Sequence, residues 1–221
     1  MFGKRWLQLK PYFGGSYDAK MRQLVRDGYL PLTVREVLAI RMQVLSMPEG
    51  DEKETLLHVW GVSLGTSDLV AHYGDTMKVI ALPGVIRRIL HEQNLRIKRG
   101  DYLVPPGLYQ ELPGAEISKL SHGEDFNPEE SDLARQIWTL LGGEAALGDY
   151  RQLLSRNGFP SEMRVWLAAN WARIERSYDM AIVRPWRLES MVGGSHIEAM
   201  YPVDGGSGLP PLRLLGKRSG G

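Results

Sequence analysis

Residues 60–73 read Trp60-Gly61-Val62-Ser63-Leu64-Gly65-Thr66-Ser67-Asp68-Leu69-Val70-Ala71-His72-Tyr73, and the architecture of the chain turns on how they fold. Just upstream, Asp51 and Glu54 stand in a capping-box pattern, and Leu56, Leu57 and Trp60 recur at the spacing of one helix face. Gly61 then breaks that element, because glycine lets a chain leave a helix with positive φ. Thr66 or Ser67 supplies an oxygen that can cap a new helix, which Gly74 closes after Tyr73. The pattern predicts two helices joined by a short turn. A strand buried in a core is the competing reading.

Working outward, Ser16 caps a helix to Asp27, stopped by Gly28. Thr33 and Glu36 form another capping box. The helix they open places Val34, Val37, Leu38, Arg41 and Leu45 on one face, with Ile40 and Val44 on a second. Beyond Gly74, Met77–Leu82 reads as a buried strand, and Pro83 opens a helix with Val85, Ile86 and Ile89. Leu95–Lys98 and Tyr102–Val104 flank the turn Arg99-Gly100-Asp101 as a hairpin. Helices resume after Asn127-Pro128, and the longest runs from Ser161 to about Ile182 on a stripe that includes Met163, Trp166, Leu167 and Trp171.

These elements predict an α+β, mainly helical fold. Residues 1–104 form a helical region with a small sheet or hairpin. Residues 105–126, rich in Pro, Gly and acids, form a linker or loop. Residues 127–202 form a second helical region, and 203–221 a flexible Gly/Pro-rich tail.

The 221 residues carry 27 Lys+Arg, 26 Asp+Glu and no cysteine. The last fact excludes disulfides, thiolate metal sites and thiol catalysis. The net charge of +1 is a cancellation: residues 1–50 and 151–221 each carry +4, residues 51–110 are neutral, and residues 111–150 carry −7. A neutral total therefore leaves room for a local anion-binding face. No apolar run reaches the roughly 18–20 residues that span a bilayer, so no membrane partner is expected. The start, Met1-Phe2-Gly3-Lys4-Arg5-Trp6, lacks a following apolar stretch because Gln8, Lys10 and Pro11 interrupt it. A cytoplasmic protein is expected, and a phage or viral product made in a cytoplasm fits equally.

The run Trp60-Gly-Val-Ser-Leu-Gly-Thr66 resembles the turn of helix-turn-helix proteins, and the unit 54–104 resembles a winged helix. The resemblance implies that Ser63, Thr66 and Ser67 stand at the start of a recognition helix facing DNA. Arg96, Lys98 and Arg99 on the hairpin, with Arg87 and Arg88, would then position phosphates. Leu57 stands where that motif carries a small residue. The recognition segment Ser67–Tyr73 has no Lys or Arg and includes Asp68, which repels phosphate.

Asp68 and His72, four apart, would share a face of that helix and could hold a metal, although the sequence nominates no third ligand. Ser195 precedes His196, but adjacent side chains rarely face each other, and no P-loop or Gly-x-Ser-x-Gly elbow occurs. No constellation nominates a catalytic residue, and none calls for a cofactor. The leading expectation is a small regulatory protein that contacts nucleic acid. The alternatives are a protein–protein module, including a homo-oligomer or a viral accessory or structural protein, and a metal-dependent hydrolase.

Overall fold

The computed structural model describes residues 9–12, 17–74, 76–93, 95–98, 101–117, 125–126, 128–167, 179–199 and 213–218. In chain order these form β1 (Lys10–Tyr12), α1 (Tyr17–Arg26), β2 (Tyr29–Pro31), α2 (Val34–Leu45), α3 (Asp51–Trp60), β3 (Leu64–Tyr73) and β4 (Thr76–Ile80). There follow α4 (Val85–Leu90), β5 (Arg96–Lys98), β6 (Asp101–Val104), α5 (Pro106–Glu111), β7 (Ala115–Ile117) and β8 (Asp125–Phe126). The remainder are α6 (Asp132–Gly142), α7 (Glu144–Arg156), β9 (Val165–Leu167), β10 (Ala181–Leu188), β11 (Ile197–Ala199) and β12 (Arg213–Arg218), with a 3-10 turn at Met191–Gly193.

The expected helix at Thr66–Tyr73 is therefore a strand, and the mainly helical reading gives way to a sheet-rich one. One mixed sheet joins all twelve described strands, along the path β1-β12-β3-β10-β11-β9-β8. β2 pairs with β12, β4 with β3, β7 with β4, β6 with β10, and β5 with β6. β3 lies at the centre, with β10 and β4 antiparallel to it and β12 parallel.

Burial explains why the sequence pattern misled. Leu64 through His72 are all buried, so β3 lacks the apolar–polar alternation of a strand with one wet face. Its two sides serve two cores. Val70 packs with Val37, Ile40, Trp138, Leu141 and Leu154 from α2, α6 and α7. Leu69 and Ala71 pack with Met21, Leu24, Ile86 and Leu108 from α1, α4 and α5. β10 repeats the division, with Ile182 and Trp186 in the first core and Ala181 and Val183 in the second. Helices thus cover both faces of the sheet.

The expected helix from Ser161 to Ile182 is also corrected. Its described residues include β9 and the start of β10, because Val165, Leu167, Ala181 and Ile182 are sheet residues buried beneath helices. The middle of that stretch, 168–178, lies outside the described residues. Pro185, which cannot donate to a ladder, sits where the β10–β3 register shifts. Of the expected flexible tail, Arg213–Arg218 is β12, inserted between β1 and β3 with Leu214 buried. The expected linker contains α5 and β7. The Thr33–Glu36 capping box is present, and the hairpin pairs β5 with β6.

Candidate functional site

The turn that follows α3 is held from beneath by a buried cation. Arg41 on α2 is fully buried. Its Nε donates to the Trp60 carbonyl at 2.9 Å and its Nη2 to the Val62 carbonyl at 2.7 Å, so it caps the negative end of α3. Its Nη1 donates to the Tyr150 hydroxyl on α7 at 3.3 Å, and Tyr150 meets the buried Ser195 hydroxyl at 2.7 Å.

Opposite this turn lies the loop after β10. Ser190 caps its 3-10 turn by accepting from the Gly193 amide. The Met191 amide donates to the Gly61 carbonyl at 2.9 Å, which joins loop to turn. Gly61 has φ −74°, so the positive φ expected of it is not what the site uses. A Cβ there would stand 2.5 Å from the Leu57 carbonyl oxygen and 3.2 Å from the Met191 Cε. Glycine is required for close approach.

Between the turn and the loop opens a cavity of about 420 Å³. Leu57, Val62, Phe159, Met191 and Val192 form its apolar walls, and His58, Ser63, Ser190 and Glu189 its polar ones. Val192 is 74% exposed and Val59, on α3, 40% exposed. Ser63 donates to Glu189 Oε2 at 2.5 Å. Glu189 also pairs with Arg187, which pairs in turn with Glu198 on β11. Burial pushes the Glu198 carboxyl up to about 7; the Arg187 charge opposes that shift and the Glu189 charge adds to it.

The residues singled out for nucleic acid do not assemble on one surface. Ser63 lines the cavity. Thr66 is buried and donates to the Trp186 carbonyl at 2.8 Å, and Ser67 is buried in β3. Arg87 and Arg88 belong to α4, where Arg88 pairs with Glu111. Arg96 is exposed on β5 and Lys98 ends that strand, while Arg99 lies outside the described residues. A recognition helix is absent because its residues are the centre of the sheet. The helix-turn-helix and winged-helix DNA-binding reading is therefore corrected.

Asp68 and His72 change meaning with the strand. In a helix they would be neighbours, but four residues of strand separate them by roughly 13 Å. Asp68 instead accepts the Val34 amide. Burial drives its carboxyl up to about 7, partly offset by that hydrogen bond. Among the described residues no group of three His, Cys, Asp or Glu is placed to hold a metal ion. Ser195 bonds Tyr150, while the amide of His196 donates to Gly194. Glu189, Phe159 and Val192 were not singled out from the sequence. The one available signal was an apolar residue before Gly193-Gly194 in a loop.

No protein-family model matches the sequence, and no curated protein matches it. A solved structure does, one described as the accommodation of massive sequence variation in Nanoarchaeota by the C-type lectin fold. The two are 12% identical and superpose with a TM-score of 0.61 over 94% of this chain and 96% of that one. The shared feature is the fold. The C-type lectin fold fits the sheet-rich architecture and not a helix-turn-helix unit.

Proposed function

We propose that this chain is a recognition module that binds a protein partner through the cavity between α3 and the loop after β10. The observation that carries this reading is the cavity itself, apolar-walled and open beside the 74% exposed Val192. An exposed valine on a loop next to a preformed apolar hollow is a surface on which a partner's side chain can anchor. The rigid supports beneath it (Arg41, Tyr150 and the Met191–Gly61 bond) mean that little ordering is needed on binding. The neighbouring structure supports the reading at the level of fold, since its C-type lectin fold is described as accommodating massive sequence variation.

The test is selection of random displayed peptides on the immobilised full chain, followed by titration against two variants. Peptides are expected to enrich and to lose about tenfold or more in affinity for Val192→Asp. They should keep it for Leu82→Asp, which changes an exposed leucine before α4. Failure to enrich any peptide, or equal loss in both variants, would overturn the proposal.

A further inference from the structure

One side chain lining the cavity carries a carboxylate. Among the described residues that line it, Glu189 is the one with a formal charge, and neither Lys nor Arg is among them. Its guanidinium partner, Arg187, also reaches Glu198. The Glu189 carboxylate, held by Ser63 and Arg187, marks the polar end of an apolar hollow.

We infer that the anchor this cavity receives is a partner's Lys or Arg side chain, its aliphatic stem against Leu57, Val62, Phe159 and Met191 and its cationic head toward Glu189. The inference rests on the proposed recognition role and narrows it to one chemical class of anchor. Amphipathic cations suit such a site because their stems bury on apolar walls while their heads pair with a carboxylate. Glu189 is already oriented by the Ser63 hydroxyl at 2.5 Å, so the head meets a fixed acceptor. An acidic anchor would face the Glu189 carboxylate directly and is disfavoured.

The experiment titrates the isotope-labelled full chain with N-acetyl-lysine amide and with N-acetyl-norleucine amide, read by NMR shifts of Met191 and Val192. The two probes share a stem and differ in the ammonium group. The lysine probe is expected to bind about tenfold more tightly, and Glu189→Gln to reduce that preference severalfold. Equal binding of both probes would overturn the cationic anchor and leave the apolar recognition site standing. Binding of neither would overturn both. The probe comparison requires no substitution, so it holds even where Glu189→Gln perturbs the fold.

Discussion

The carboxylate of Asp68, midway along β3, accepts the backbone amide of Val34, the first residue of α2, at 2.6 Å. The helix start is thus capped twice, locally by Thr33 and at long range by a side chain from the central strand. Burial raises the Asp68 carboxyl from 3.8 to about 7. Between those values the folded chain keeps a proton that the unfolded chain has released, so stability falls as pH rises through that window. The full separation is worth roughly 4 kcal/mol. Glu198, also raised to about 7, acts in the same direction. The urea midpoint is expected to be higher near pH 5 than above pH 7. Asp68→Asn keeps an acceptor for Val34 but cannot titrate, and should flatten the slope. A midpoint that climbs with pH across this range would refute the assignment.

Asp101 and Arg184 form an ion pair with no exposed side-chain surface on either partner, at 2.5 Å and 3.0 Å. Burial still lifts the Asp101 carboxyl above its ordinary value, although Arg184 opposes the shift. Removing one partner strands the other charge in the sheet. Asp101→Ala is expected to cost about 3–5 kcal/mol in urea unfolding, and the double change Asp101→Leu with Arg184→Met markedly less than the sum. Additive losses would show that the two side chains act independently.

Several helices were legible in the sequence because their ends carry local chemistry. The Thr33–Glu36 capping box opens α2, and Gly28 follows α1 at φ +82°. The hairpin was legible from its turn. The sheet was not, because legibility of a strand depends on one wet face. Leu64–His72 and Ala181–Trp186 are buried on both faces, so their periodicity cannot distinguish strand from helix. Long-range pairing then chose. β3 meets β10 more than a hundred residues later in sequence, a partner no local pattern encodes. The cavity was illegible for the same reason, since Leu57, Phe159 and Met191 are far apart in sequence and meet only in the folded chain.

Gly61 separates two explanations of one glycine. Were it needed for a positive φ, the strain would lie in its own backbone; at −74° any residue is accommodated. The constraint is the 2.5 Å approach of a Cβ to the Leu57 carbonyl oxygen and 3.2 Å to the Met191 side chain. Gly61→Ala is therefore expected to cost about 1–3 kcal/mol, as overpacking does. It should also displace the Met191–Gly193 turn, visible as shifted Met191 and Val192 amides. A stability unchanged within about 0.5 kcal/mol, with unmoved amides, would show that the neighbours yield freely.

Tyr150 and Ser195 test whether the support beneath the cavity is cooperative. Their hydroxyls meet at 2.7 Å in a buried setting, and Arg41 reaches the same Tyr150 oxygen at 3.3 Å. Tyr150→Phe takes away the described partner of the Ser195 hydroxyl and one acceptor from Arg41. A buried polar group left unsatisfied costs about 1–3 kcal/mol, more than the net worth of the bond itself. The single change should therefore destabilise by that amount. The double change Tyr150→Phe with Ser195→Ala should recover part of the loss, because the orphaned hydroxyl is gone while the ring still fills its place between α7 and the sheet. Urea unfolding of the four members of this cycle measures the coupling directly. A double variant that loses the full sum would mean that the two hydroxyls are satisfied separately.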